Sequence, residues 1–149
     1  MPFPTALSRV TGSTLGNILI VEDDAAVREL VSVLLRTNGF HAVAAEDGLE
    51  ALHLLRTVRR RAPRTPCLVL LDLVMPVMNG VEFLQALERR RDIRQVRVAL
   101  VSAYSVVDRV ALGSPRIVGR LHKPVDMGEL RQVLDGQLGS GFGRPLLPN

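Results

Sequence analysis

The sequence predicts an α/β fold, a five-stranded parallel sheet covered by helices on both faces. Five short apolar runs alternate with amphipathic stretches, the pattern of repeated strand–helix–strand units. The runs are continuously apolar, as strands buried on both faces are. The chain has 149 residues, 47% hydrophobic and 23% charged, which is the size and composition of one folded domain. There is no internal repeat.

Residues 17–21, Asn17 to Val21, form the first strand by length and β-branching. Val27, Leu30, Val31, Leu34 and Leu35 then keep helical spacing until Asn38 and Gly39 stop the helix. His41 to Ala45 is a weaker second strand. Asp47 and Glu50 have the spacing of a capping box and begin a helix running to about Arg61, which Pro63 and Pro66 close. Cys67 to Leu71 is the most apolar strand. A turn from Pro76 to Gly80 precedes a helix lined by Val81, Leu84 and Leu87. Arg97 to Val101 is the fourth strand, Ser105 to Asp108 begins a short helix, and Ile117 to Leu121 is the fifth strand. Asp126 and Glu129 open a last helix carrying Leu130, Val133 and Leu134.

Residues 1–16 have Pro, Gly and Ser/Thr without periodicity and read as a flexible leader. Gly136 to Asn149, with four Gly and two Pro, reads as a frayed end, with residues 139–149 as a flexible tail. Neither end has room for a second domain, so the folded unit is expected over residues 17–138. No apolar run approaches the roughly 18 residues of a membrane span, and no secretory pattern opens the chain. The lone Cys67 excludes an internal disulfide framework and fits a reducing cytoplasm. Three scattered histidines, His41, His53 and His122, have no metal-ligand spacing. Of the 19 cationic residues only Lys123 is a lysine.

Glu22, Asp23 and Asp24 follow the first strand, Asp72 the third, Ser102 the fourth, and His122 and Lys123 the fifth. Right-handed crossovers put the C-terminal end of every parallel strand on one edge, so these distant residues converge there. Ligand sites of open α/β sheets occupy that edge. Asp24 is expected to cap the first helix rather than bind a ligand.

In these motifs the chain resembles the receiver domains of two-component response regulators. The residues are Ile18 to Asp24, Leu70 to Gly80 around Asp72, Ser102 with Ala103, and Lys123 with Pro124. The gaps of 30 residues from Asp72 to Ser102 and 21 to Lys123 are similar to the family pattern. The resemblance covers Asn17 to about Leu138. It implies a flavodoxin-like three-layer sandwich with strand order 2-1-3-4-5, five helices, Asp72 as phosphoacceptor and a cis peptide before Pro124.

Beside it stands a chemical reading. Asp72 would attack a phosphohistidine and form an acyl phosphate. Glu22 and Asp23 supply oxygen ligands for Mg²⁺, with Asp72 and the Val74 carbonyl completing the protein side. Lys123 offers a compact charge to a phosphoryl oxygen, and the Ser102 hydroxyl a hydrogen bond that reports phosphorylation to the fourth strand. Carboxylates so gathered repel, so Asp72→Asn is expected to raise the metal-free melting temperature.

Two positions depart from the family pattern. Ser102 stands where Thr is usual, and Arg120 replaces an aromatic that swings inward in many relatives. Tyr104 is a candidate gate beside Ser102, with a packing role equally open. Val74 and Tyr104 cannot readily orient an attacking water, which implies a long-lived phosphoryl group. The leading reading is a stand-alone receiver and signalling switch, not a turnover enzyme. Its expected partners are a histidine kinase or histidine phosphotransfer protein and a downstream protein target, with room for a weak homodimer. Arg-rich helix ends (Arg56 to Arg64 and Arg89 to Arg97) read as solvated dipole partners, and no membrane or nucleic acid contact is expected. The alternatives are a degenerate receiver that binds protein without phosphorylation and, ranked last, an Asp-nucleophile phosphohydrolase, which would want an acid at Val74.

Overall fold

A computed structural model describes residues 17–61, 67–75, 77–90, 96–103 and 116–138 of the chain. Along them run β1 (Asn17–Val21), α1 (Ala25–Thr37), β2 (His41–Ala45), α2 (Gly48–Arg61), β3 (Cys67–Asp72) and α3 (Gly80–Glu88). These are followed by β4 (Val96–Ser102), β5 (Ile117–His122) and α4 (Met127–Leu138). The sheet has order β2-β1-β3-β4-β5, all neighbours parallel.

Each central strand feeds two cores because its side chains alternate between faces. Leu19, Val21, Val69, Leu71, Val98 and Leu100 pack with Ala51 and Leu55 of α2 and Phe83 and Leu87 of α3. Ile18, Ile20, Leu68, Leu70, Ala99 and Val101 pack with Val31 and Leu35 of α1 and Leu130 and Leu134 of α4. Both faces are covered, which is why the strands read as unbroken apolar runs.

The helix boundaries follow local chemistry. Asp24 caps α1, its carboxylate accepting from the Ala26 and Val27 amides at 2.9 and 3.1 Å. Gly39 ends that turn at φ 85°, a left-handed conformation that a Cβ would resist. Asp47 accepts from the Glu50 amide, but the Glu50 carboxylate returns to the Glu46 amide, so the capping box is closed one residue upstream. Asp126 likewise accepts from the Glu129 amide.

Four features depart from the sequence expectations. α3 begins with a full capping box between Asn79 and Glu82, inside what read as a plain turn. Gly136 lies within α4 rather than in a frayed end, the glycine's helix cost of about 1 kcal/mol being met by the buried Leu130 and Leu134. β3 and β5 run one residue further than expected and β4 one residue further at each end, making Asp72, His122 and Ser102 their last residues. Arg116, overlooked in the sequence, is 8% exposed; it donates to the Val96 and Leu87 carbonyls and pairs with Glu88 at 3.4 Å. The expected leader, tail, Pro76 turn residue, Tyr104 gate and helix beginning at Ser105 lie outside the described residues.

Candidate functional site

The C-terminal edge of the sheet gathers the acids because register fixes where each strand stops. Asn17 pairs with both His41 and Cys67, so β1 and β3 run level, and β3 extends one residue further to Asp72. The last ladder bond of β1 is the Glu22 amide to the Ala45 carbonyl at 3.1 Å. Glu22 and Asp72 are each 3% exposed, whereas Asp23 is exposed.

Lys123 stands between the two buried carboxylates, its Nζ 2.8 Å from Glu22 Oε2 and 3.2 Å from Asp72 Oδ2. The remaining oxygens are held by backbone: Glu22 Oε1 accepts from the Asp24 amide at 3.2 Å, and Asp72 Oδ1 from the Val74 amide at 3.0 Å. Ser102, 2% exposed, ends β4, and its carbonyl accepts from the Lys123 amide at 3.0 Å. The Lys123–Pro124 peptide is cis. An apolar cleft lined by Ile20, Val27, Val31, Leu70, Val101 and Val125 borders Glu22 and Asp72.

The charges perturb one another accordingly. Burial pushes the Glu22 carboxyl above its ordinary range; the Lys123 hydrogen bond opposes this rise and the Asp72 charge adds to it. For Lys123 burial disfavours the ammonium, but the hydrogen bond it donates to Glu22 and the field of Asp72 outweigh it, and its pKa lies above the ordinary lysine value.

One carboxylate oxygen from each of Glu22, Asp23 and Asp72 lies within 4.8 Å of the others. Three hard oxygen donors, one of them facing solvent, fit a magnesium-type cation that keeps several of its waters. The residues expected to converge from β1, β3 and β5 therefore do so. Val74 meets Asp72 through its amide. Arg120 is exposed on β5, opposite Leu100 in register and two residues short of the His122 that pairs with Ser102.

The sequence reading missed Arg28 of α1, whose Nη1 donates to the Glu22 carbonyl at 2.9 Å and the Asp23 carbonyl at 3.3 Å. The available signal was a basic residue in the first turns of a helix, the end where the dipole disfavours it.

The profile of the response regulator receiver domain family matches residues 18–135, and the chain belongs to that family, the receiver domains of two-component systems. Among solved structures it is similar to the receiver domain of the hybrid histidine kinase CckA, with 30% identity, a TM-score of 0.64 and coverage of 83% of this chain and 99% of that one. A CheY-like receiver domain protein from Methanospirillum hungatei matches with 27% identity, a TM-score of 0.65 and coverage of 83% and 91%. Over 96 residues the chain is 40% identical to the DNA-binding response regulator MtrA of Mycolicibacterium paratuberculosis, covering 64% of this chain and 39% of MtrA. The phosphate regulon transcriptional regulatory protein PhoB of Escherichia coli matches at 37% over 86 residues, 58% of this chain and 35% of PhoB. The chain thus spans less than half the length of these curated relatives.

Proposed function

We propose that this receiver accepts a phosphoryl group from a phosphohistidine onto Asp72 and signals through the resulting change at the sheet edge. The observation that supports this best is the pairing of a buried Asp72 with Lys123 at 3.2 Å inside a three-carboxylate cluster. A carboxylate oxygen of Asp72 would form the new P–O bond while the P–N bond breaks and the donor imidazole leaves with that electron pair.

Glu22, Asp23, Asp72 and the Val74 carbonyl would hold Mg²⁺. When bound, the ion neutralises charge on the carboxylates and the phosphoryl oxygens. Lys123, already charged and placed against Asp72, orients and neutralises a phosphoryl oxygen. The Val74 amide fixes the Asp72 rotamer. Ser102 gives the phosphoryl group a hydroxyl contact, and its backbone link to Lys123 joins that contact to β4 and β5. Arg120, exposed on β5, takes no inward aromatic role, so the switch is carried by Ser102 and the segment following β4.

A histidine kinase or a histidine phosphotransfer protein is the proposed donor, and the reaction is placed in the cytoplasm, where a lone cysteine stays reduced. With Mg²⁺ and a small phosphodonor, intact-mass measurement is expected to show a single phosphoryl adduct on the wild type and none on Asp72→Asn. Absence of an adduct on both would overturn the reading in favour of a phosphorylation-independent binding module.

A further inference from the structure

Arg28 has no part in the phosphoryl chemistry above, yet its guanidinium grips the backbone that carries two of the acids. One terminal nitrogen, which bears two hydrogens, serves the consecutive Glu22 and Asp23 carbonyls at 2.9 and 3.3 Å. Helical side chains lean toward the N-terminus, and this lean brings the Arg28 head back over the β1–α1 turn. The position is costly by charge alone. The positive end of the α1 dipole disfavours a cation there, and a fixed guanidinium beside a cation site repels the ion.

A gain in geometry explains the placement. The Glu22 carboxylate is held directly by Lys123 and by the Asp24 amide. Among the described residues no side chain or amide donates to the exposed Asp23 carboxylate, so its position follows from the turn backbone. Fixing two successive carbonyls fixes the peptide planes on both sides of the Asp23 Cα.

We propose that Arg28 is a positioning residue, pinning the β1–α1 turn so that Asp23 stands within ligand reach of Glu22 and Asp72. The proposal rests on the metal-site reading above. Geometry and charge predict opposite signs, which makes the test sharp. Mg²⁺ affinity is measured on the whole chain without phosphodonor, by titration calorimetry and by the Mg²⁺ dependence of the melting temperature at constant ionic strength.

Positioning predicts that Arg28→Met weakens Mg²⁺ binding about 10-fold, with Arg28→Lys between it and the wild type. A charge-only effect makes Arg28→Met bind Mg²⁺ more tightly, and that result, or unchanged affinity, overturns the proposal. Because Arg28 acts through Asp23, Arg28→Met is expected to change affinity less than about twofold in an Asp23→Asn background. A full 10-fold loss there would overturn the proposal too. Should Arg28→Met fail to fold, Arg28→Lys decides: weaker binding supports positioning and wild-type affinity rejects it. A wild type that takes up no Mg²⁺ removes the metal-site reading and this proposal together, whereas wild-type binding with indifferent Arg28 variants removes the proposal alone.

Discussion

One ammonium serves two buried carboxylates at the sheet edge, and that imbalance sets what single substitutions do. Asp72→Asn keeps the acceptor for the Val74 amide and leaves Lys123 matched one to one with Glu22. Two carboxylates about 4 Å apart repel by roughly 4 kcal/mol at an effective dielectric of about 20, of which Lys123 offsets only a share. Thermal unfolding in a chelator is expected to give Asp72→Asn a higher melting temperature than the wild type. Lys123→Met strands both acids and is expected to lose about 3 kcal/mol, a deficit that Mg²⁺ narrows. Identical melting of all three proteins in the chelator would contradict the coupling. In the loop after β3, Val77 holds φ 66° and is 75% exposed. A β-branched residue is strained in that region and here gains little burial, so Val77→Gly is expected to stabilise by about 1 kcal/mol, read as an upward shift of the urea midpoint.

At the scale of elements, the site depends on how helices begin and where strands stop. The Asn79–Glu82 capping box starts α3, and the adjoining Gly80 amide donates to the Leu73 carbonyl just past Asp72. A Cβ at Gly80 would come within 2.7 Å of the Asp72 carbonyl, so backbone approaches backbone there and only glycine fits. Asn79→Ala removes the side-chain acceptor and is expected to cost about 1 kcal/mol, measured by denaturant unfolding with an unchanged slope. No loss would mean that tertiary contacts alone hold the start of α3. The Asn79, Gly80, Glu82 pattern was visible in the sequence, but its turn signal masked the cap because both use the same residue types.

Across the whole molecule, stability should bend with pH through His41 at the start of β2. Burial, together with the charge of Arg36, lowers its pKa below the ordinary 6.5. As pH falls through that value the unfolded chain takes up the proton first, so it binds more protons than the native state and stability declines. Above about pH 7 both states are neutral and the contribution is flat. His41→Gln is expected to remove this part of the slope below pH 6.5. An unaltered stability profile between pH 5 and 7 in that variant would exclude His41 as the cause.

The order of the described strands and helices, the α1 cap at Asp24 and the stop at Gly39 were legible in the sequence, because each depends on residues within a few positions of one another. So were the acids and Lys123 as a set, since parallel topology sends every strand end to one edge. The sequence did not reveal that Lys123 bridges Glu22 and Asp72, that Arg28 clamps the turn bearing Asp23, or that Arg116 is buried between α3, β4 and β5. The Lys123 and Arg116 contacts join residues from 20 to about a hundred positions apart, and their distances depend on strand register and on the depth at which the two cores bury each side chain. The Arg28 contact spans only five and six positions, but its reach depends on the angle at which α1 leaves β1. Local pattern determined which chemical groups reach the edge; tertiary packing decided which of them touch, because only the closed sheet fixes separations at the scale of a hydrogen bond.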